Sequence, residues 1–379
     1  MKPKIRFKGF EGEWKASTIG EIAPLQRGYD LPTNNVISGT IPVVYSNGIL
    51  RFHNEGKCQA PAIITGRSGT IGKFTYIDHG EYWPHNTSLW VTTFHKNYPR
   101  FVYYFFQNVG FEKYATGSGV PTLNRNDIHK HIESIPSNKE EQQAIASYFT
   151  FLDSQISAST SCLASLKQMK AASLQAMFPQ EGETVPKIRF KGFEGEWKKM
   201  KFSELYERSS IKNDLSFGED KIISVANMYF IKNSRQVDDD YLRSYNIMRL
   251  GDIAFEGNKS KNFAHGRLVE NTIGDGIVSH VFVVMKPISK KYDLYFWKYY
   301  INNENIMGKI LCRCTKSSTM MNDIVVDDFL KESILVPSYE EQIEIGKILT
   351  SLERQISLQS QRLEKLKQIK SACLDKMFV

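Results

Sequence analysis

The sequence predicts an α/β (α+β) protein: two globular domains joined by two long antiparallel coiled-coil helices, in a pseudo-twofold internal repeat. Three observations lead to this fold. A segment of thirteen residues, PKIRFKGFEGEWK at Pro3, returns unchanged at Pro186. Two long stretches with helical periodicity, near Glu140 and Glu340, echo each other. The residues between these shared segments have the texture of short strands separated by turns rich in Gly and Asn.

The repeat frames two interiors that differ. LDSQIS at Leu152 recurs as LERQIS at Leu352, and both copies close on Met-Phe, at Phe178 and Phe378. The second interior is 17 residues longer and does not match the first by eye. The predicted domains are residues 1–138 and 180–337, and the predicted helices are residues 139–179 and 338–379. A constant frame around divergent interiors is typical of a protein that recognises two different targets through one geometry.

The composition indicates a folded protein that stays in the cytoplasm. Hydrophobic residues make up 41% and aromatic residues 12% of the chain, and no apolar run approaches the ~20 residues of a membrane helix. The first residues, MKPKIRFKGF, lack the apolar core of a signal peptide. Five cysteines without framework spacing agree with a reducing compartment, and Cys312-x-Cys314 has poor spacing for zinc.

The net charge of +8 is concentrated in the interiors. Residues 1–138 carry 15 basic against 10 acidic side chains, whereas residues 139–178 carry three of each. Ordinary solubility charge would also give a basic protein. A phosphate-binding surface is the sharper hypothesis, because neutralising phosphates releases counterions and gives affinity for nucleic acid.

Each long helix has start and stop signals and an apolar seam. Glu140 and Glu141 occupy the first predicted turn of the first helix, where they meet the positive end of the helix dipole, and Pro179 stops this helix. Roughly 40 residues at ~1.5 Å each would span roughly 60 Å, so we expect the helices to act as spacers. The residues predicted to pack the helices on one another are Ile156, Leu163, Leu166, Ile356, Leu363 and Leu366.

The glycine-rich segment ITGRSGTIGK at Ile64 is not a phosphate-binding P-loop. Arg67 stands where the first glycine of that motif belongs, and Phe74 stands where it needs Ser or Thr. Such a turn could approach DNA closely through its backbone, or it could be a tight structural hairpin, and the sequence does not separate these alternatives. The interiors hold further residues of the types that read base edges or grip phosphates. The candidate DNA-binding residues are Arg27, Asn47, Arg67, Ser68, Lys73, Asn86, Asn124, Arg125, Asn227, Asn258, Lys259, Lys261, Arg267 and Lys316.

The sequence offers no catalytic motif. It contains no nucleophile elbow, no zinc-protease motif and no dinucleotide fingerprint. The [DNS]-P-P-[YFW] run with which amino-methyltransferases hold an extruded base is also missing. Histidines 79, 85 and 95 lack metal-ligand spacing. We therefore expect no catalytic residues, no metal and no bound cofactor in this chain.

The motifs together resemble the specificity subunits of type I restriction-modification systems. They are the two FKGFEGEW openings, YSNGI at Tyr45, ITGRSGTIGK, WPHNTSLWV at Trp83, VPTLNRNDI at Val120, and IP or VP followed by EEQ helices. The resemblance implies two target recognition domains that each read one part of an interrupted DNA sequence, with helices that set the gap. The second interior lacks a counterpart of G-R-x-G-T-I-G, which leaves its DNA-facing loops unplaced.

The resemblance also implies partners. Two methyltransferase subunits would bind S-adenosylmethionine and modify adenine, and endonuclease subunits that translocate DNA would use ATP and Mg²⁺. Double-stranded DNA would be the ligand, and no membrane would be involved. The alternatives are the specificity subunit of an adenine methyltransferase that lacks restriction, or a stand-alone bipartite DNA-binding protein. A nuclease or methylase in its own right would be active as an isolated chain. A scaffold without DNA contact would have neutral interiors and would behave independently of salt.

Overall fold

A computed structural model describes residues 2–117, 119–232, 238–317 and 321–379. The chain forms two compact units. Unit 1 comprises Met1–Ser161 with Gln361–Val379, and unit 2 comprises Cys162–Ser360. Each unit therefore contains the beginning of one long helix and the end of the other, so the compact units do not coincide with the four predicted segments. The predicted segment boundaries remain predictions.

The first half of the chain contains twelve strands and four helices among its described residues. In chain order they are β1 Lys15–Thr18, α1 Ile19–Ile22, β2 Leu25–Arg27, β3 Ile41–Tyr45, β4 Gly48–His53, β5 Cys58–Gln59, β6 Ala62–Gly66, β7 Phe74–Ile77, β8 Glu81–Pro84, β9 Ser88–Val91, α2 Pro99–Val109, β10 Ala115–Thr116, β11 Thr122–Leu123, α3 Arg125–His129, β12 Ile132–Ile135 and α4 Lys139–Ala176.

Two four-stranded sheets form the body of unit 1. Their strand orders are β2-β9-β6-β7 and β4-β3-β8-β5. The aromatic run FVYYFFQ at Phe101 lies in helix α2, which begins at Pro99 and ends before Gly110, whose φ is 72°. Phe101, Phe105 and Phe106 are buried on one face of α2, in the same core as the sheet residues Leu25 and Leu89. Helix α2 thus ties the first sheet to the long helices.

The second half of the chain repeats this plan with additional helix. Its elements are β13 Lys198–Lys201, α5 Phe202–Leu205, β14 Tyr206–Ser209, β15 Ile223–Ser224, β16 Tyr229–Phe230, α6 Asp239–Ser244, β17 Asn246–Met248, β18 Ile253–Glu256, β19 Arg267–Glu270, β20 Gly276–Val278, β21 Val284–Pro287, α7 Leu294–Tyr300, α8 Glu304–Cys314, β22 Thr315–Ser317, β23 Asn322–Ile324, α9 Val326–Lys331, β24 Ser333–Val336 and α10 Tyr339–Met377.

The main sheet of unit 2 has the order β14-β21-β18-β19, which matches β2-β9-β6-β7 element for element. In both units an antiparallel pair joins the strand after the FKGFEGEW segment to the strand before the long helix: β1 with β12, and β13 with β24. The aromatic run YFWKYY, residues 295–300, lies in α7. Helix α8 follows it at the place where unit 1 has only the single turn Phe111–Tyr114. The two interiors therefore share a fold that their sequences do not reveal.

The two copies of the repeated segment make equivalent contacts, one in each unit. Arg6 donates two hydrogen bonds to the Glu141 carboxylate at 2.7 and 2.8 Å, and Arg189 donates two to Glu341 at 2.8 Å each. Both glutamates are about 1% exposed, so these bidentate, charge-assisted bonds hold the start of each long helix against its repeated segment. In unit 1, the Ile5 N–H also donates to the carbonyl oxygen of Lys376 at 2.9 Å, near the end of α10.

Inside unit 1 the two long helices run antiparallel. Asp153 of α4 lies opposite Lys370 of α10, and Gln155 lies opposite Arg362. The closing phenylalanine of the repeat, Phe378, is buried and stacks on Phe149 with ring centroids 5.9 Å apart. Burying a phenylalanine side chain contributes about 1.5–3 kcal/mol, so Phe378 anchors the end of α10 in the core of unit 1.

Unit 2 uses the equivalent residues. Lys170 of α4 lies opposite Glu353 of α10, and Phe178 stacks on Tyr300 with centroids 4.9 Å apart. Of the six residues predicted to pack the helices on one another, Leu363 is buried and the other five are partly buried. Among the described residues, none of the helices combines the length and the apolar character needed to span a lipid bilayer.

Candidate nucleic-acid interface

Four of the candidate residues in unit 1 line one cleft of about 650 Å³. They are Arg27, Arg67, Asn124 and Arg125. Backbone pairing brings their loops together, because the Leu123 N–H donates to the carbonyl oxygen of Arg67 at 2.8 Å. The cleft thus collects three guanidinium groups from separate parts of the sequence.

The loop that carries Arg67 depends on its glycines. A Cβ atom at Gly66 would lie 1.8 Å from the carbonyl oxygen of Thr70, and one at Gly72 would lie 2.3 Å from the Glu112 carboxylate. Gly69 and Gly72 also have φ near 80°, which only glycine adopts without strain. ITGRSGTIGK is therefore a tight structural turn, and the same turn places Arg67 at the cleft. The two alternatives that the sequence left open do not exclude each other.

The other candidate residues of unit 1 lie at different distances from the cleft. Ser68 lies in the same loop, where it bridges to Thr122. Asn86 borders the cleft, because its carbonyl oxygen accepts a bond from Arg67 at 3.3 Å. Asn47 is exposed at the turn between β3 and β4.

Lys73 is exposed at the far end of the loop, directly before β7, and does not line the cleft. Asn124 caps α3, since its side-chain oxygen accepts the Asn126 N–H at 3.0 Å. The NH₂ group of Asn124 and the second lone pair of its side-chain oxygen remain to meet a ligand.

An acidic residue that the sequence analysis did not select sits among these cations. Asp30 lines the cleft and accepts a hydrogen bond from the side-chain amide of Asn86. Arg27 lies 3.7 Å from the same carboxylate. Burial lowers the pKa of the neighbouring His85 despite the Asp30 charge, and the His85 ring lies 4.2 Å from the Tyr45 ring at a tilt of 32°. Nothing in the spacing of Asp30 and Asn86 along the chain indicates that they meet.

The six candidate residues of unit 2 lie on two loops and on the strands beside them, which hydrogen bonds connect. Asn227 lies in the turn between β15 and β16, Lys316 lies on β22, and the other four lie on or beside the β18–β19 loop. Lys259 donates to the Ser317 hydroxyl at 2.5 Å, which links that loop to β22. Lys261 is exposed at the tip, in a turn closed by hydrogen bonds between Ser260 and Phe263.

A second carboxylate that the sequence analysis did not select organises this cluster. Glu256 accepts a bond from Arg267 Nε at 2.7 Å and another from the Asn258 side chain at 3.1 Å. Arg267 also donates to the carbonyl oxygen of Ala226 at 2.6 Å, beside Asn227, and lies 5.0 Å from the Phe263 ring. With an acid, an arginine and an asparagine in contact, the arrangement parallels that of Asp30, Arg27 and Asn86 in unit 1.

The second interior lacks a counterpart of ITGRSGTIGK in its sequence, but its structure contains a loop in the equivalent position. The loop of residues 257–266 joins β18 to β19, as residues 67–73 join β6 to β7 in the equivalent sheet. It begins with the same constraint, since a Cβ at Gly257 would lie 2.0 Å from the carbonyl oxygen of Asn322. The sheet and this glycine are common to both units, while the side chains of the two loops are free to differ.

No candidate metal site accompanies the two clusters in the part of the chain that the structure describes. There, no group of three His, Cys, Asp or Glu side chains could hold a metal ion. Cys312 is exposed on α8 whereas Cys314 is buried, so the two sulfurs do not share one environment. Arginine, lysine and asparagine side chains on loops are suited to binding a polyanion and to reading base edges.

The sequence model of the family described as Type I restriction modification DNA specificity domain matches the chain twice, over residues 11–168 and 194–368. The chain belongs to this family. Its α+β class and its two repeats agree with that membership, and the resemblance drawn from the sequence motifs is confirmed. The family is a DNA-recognition component.

Solved structures share the fold at low sequence identity. The chain resembles a type I restriction-modification system S subunit from M. genitalium, at 13% identity and TM-score 0.67, over 100% of this chain and 99% of that chain. A second structure, from work on complex assembly and conformational transition of the type I R-M system, matches at 13% identity and TM-score 0.50, over 97% of this chain and 98% of that chain. The HsdS subunit from Thermoanaerobacter tengcongensis matches at 14% identity and TM-score 0.47, over 97% and 96%. A search of curated proteins finds no significant match.

Proposed function

We propose that this chain is the DNA specificity subunit of a type I restriction-modification complex and that each unit reads one half of an interrupted DNA sequence. One observation carries the proposal. Both units place arginine and asparagine side chains around the equivalent loop of equivalent four-stranded sheets, β6–β7 in unit 1 and β18–β19 in unit 2, and the residues in the two clusters differ. Two clusters at equivalent positions, but with different side chains, are expected of a protein that reads two half-sites of different sequence.

The chemistry of the clusters supports both affinity and selectivity. Exposed cations such as Lys261 and Lys316 are suited to phosphates, which give affinity that depends on salt but not on sequence. Arginine can donate two hydrogen bonds to guanine, and asparagine can do so with adenine. The pairs Arg27 with Asn86 and Arg267 with Asn258 combine both side-chain types around one carboxylate.

Catalysis is assigned to partner subunits. Two methyltransferase subunits would supply S-adenosylmethionine and modify adenine, and endonuclease subunits would supply ATP and Mg²⁺ chemistry. The long helices would set the gap between the halves and dock the methyltransferase subunits. Under this proposal the complex works in the cytoplasm, and the chain transfers no methyl group by itself.

The test measures methyl transfer and DNA binding with purified components. Unmethylated duplex DNA and labelled S-adenosylmethionine are incubated with the chain alone, with the methyltransferase partner alone, and with both. Transfer only in the mixture supports the proposal, and robust transfer by the chain alone contradicts it. Transfer in the mixture without any DNA cleavage after addition of the endonuclease subunit and ATP would favour a methyltransferase that lacks restriction.

A further inference from the structure

In unit 1 a tyrosine, an acid and a lysine from three different helices form one contact. Tyr104 of α2 donates its hydroxyl to Asp153 of α4 at 2.9 Å. Lys370 of α10 donates to the other oxygen of Asp153 at 2.6 Å, and its Nζ lies 5.5 Å from the centre of the Tyr104 ring. We name this set of three residues clasp 1.

Unit 2 contains the same contact, built from the equivalent residues. Tyr299 of α7 donates to Glu353 of α10 at 2.5 Å. Lys170 of α4 donates to the other oxygen of Glu353 at 3.2 Å and lies 5.2 Å from the Tyr299 ring. Lys298 adds a second bond to Glu353, at 2.5 Å. Tyr299, Glu353 and Lys170 form clasp 2.

The two clasps are crossed copies of one another. Glu353 stands 200 positions after Asp153, and Lys370 stands 200 positions after Lys170. Each acid binds the lysine of the other long helix and not the one on its own helix. Each clasp therefore specifies one antiparallel register of α4 against α10, and it ties that register to an aromatic helix of the globular part.

The buried Phe378 and Phe178 hold the ends of the helices, but the apolar contacts along the seam between them define that register less sharply than the clasps. Ile156 and Ile356 of the predicted seam are only partly buried, and a heptad pattern packs almost equally well after a slip of seven residues. A charged pair that is partly shielded from water behaves differently, because after such a slip the acid no longer faces the lysine of the other helix. Fixing the register of helices is the best attested role of such buried polar contacts. The lysine side chains of the clasps are 20% and 23% exposed, and both lie over tyrosine rings.

We infer that the two clasps, and not the apolar seam, fix the register of the long helices and thereby the number of unspecified base pairs between the two half-sites. Asp153, Lys370, Glu353 and Lys170 are then positioning residues that determine specificity without touching DNA. This inference rests on the proposed function. A slip of one heptad moves one helix ~10 Å along the other, which corresponds to about three base pairs at ~3.4 Å each.

The test maps modified adenines in a genome that contains the full chain and its methyltransferase partner. Clasp 1 is the cleaner target, because Lys298 adds a second cation to clasp 2. Lys370→Glu is expected to reduce methylation at the native gap roughly tenfold and to produce methylation at gaps that differ by about three base pairs, with both half-sites unchanged. Lys367→Glu, at an exposed position three residues earlier on the same helix, is the matched control and is expected to leave the map unchanged.

A charge exchange separates register from simple unfolding. The double variant Asp153→Lys with Lys370→Asp is expected to restore a single native gap. A native map for Lys370→Glu overturns the inference, and so does loss of methylation that the exchange does not restore. If the unaltered complex yields no interrupted motif, the proposed function itself fails. If it yields one and Lys370→Glu keeps the native gap, only the inference fails.

Discussion

Arg267 donates from Nε to the carboxylate of Glu256 at 2.7 Å, and this bond fixes the direction in which the guanidinium leaves β19. Glu256 is 7% exposed, so the pair is partly desolvated and Arg267 has little freedom to turn. In unit 1, Asp30 accepts a hydrogen bond from the Asn86 side chain, but Arg27 lies 3.7 Å from Asp30 and both of these charged side chains are mostly exposed. Glu256 therefore orients both an arginine and an asparagine, whereas Asp30 orients the asparagine and only attracts the arginine.

Glu256→Gln is expected to relax the half-site that unit 2 reads. The amide keeps one acceptor for Asn258 or Arg267 but removes the charge that orients the guanidinium, so discrimination at one base pair should weaken by about 1–3 kcal/mol. The methylation map of the complex measures this effect. Glu207→Gln, which removes a carboxylate that pairs with Lys286 at 3.0 Å on the same sheet, is the control. An unchanged second half-site, or a changed first one, would contradict the assignment.

Arg67 and Lys73 are expected to behave differently although the sequence places them in one loop. Arg67 lines the cleft and Lys73 does not, so Arg67→Ala should weaken DNA binding and reduce the salt slope by about one, the loss of one phosphate contact. Lys73→Ala should leave the slope unchanged, and the double variant should match Arg67→Ala. Affinity measured at several salt concentrations gives the slopes. Equal effects of both single variants would place the DNA elsewhere on this loop.

Gly66→Ala is expected to destabilise unit 1 and to lower DNA affinity together. The added methyl group would meet the carbonyl oxygen of Thr70, and forcing such atoms into a packed turn costs about 1–3 kcal/mol. Gly119→Ala is the control, because a Cβ there meets no atom within 4 Å. Thermal unfolding and DNA affinity of the two variants check this. An unaffected Gly66 variant would show that the turn adapts.

The sequence alone supports the repeat, the long helices and the family, because these depend on identical residues and on helical periodicity. The pairing of β2 with β9 and of β18 with β21 does not follow from it, since these strands are far apart in the chain and short apolar runs do not specify their partners. Asp30 and Glu256 were missed for the same reason. Each becomes notable only when Asn86 or Arg267 is brought beside it by the fold. The contact between Asp153 and Lys370 does not follow from the sequence either, because helical periodicity is carried by apolar residues and does not pair the charged ones.

The stability of unit 2 is expected to depend on pH through Asp252. Burial raises the pKa of Asp252 to about 6, against an ordinary value near 3.9, even though the Arg249 N–H donates to its carboxylate at 2.8 Å. The folded state then holds the proton more tightly than the unfolded chain. This contribution to stability is complete below pH ~4 and is lost as the pH rises through about 6.

Asp252→Asn is therefore expected to gain up to ~3 kcal/mol relative to the unaltered protein between pH 4 and pH 7. Denaturant unfolding at several pH values measures the difference, and Asp239→Asn, at an exposed position of the same unit, is the control. A difference that stays constant with pH would rule out a raised pKa at Asp252.

Under the proposed function two separate units read two half-sites, while the helices set only the distance between them. The most direct measurement is the adenine methylation map of the complex, before and after insertion of four helical residues after Thr160 of α4 and four after Ser360, the equivalent position of α10. Four residues in each helix add ~6 Å, about one turn, which is worth one or two base pairs, and both clasps can still form. We expect an interrupted motif whose halves stay the same and whose gap grows by one or two base pairs. An unchanged gap, or altered bases within either half, would contradict this expectation.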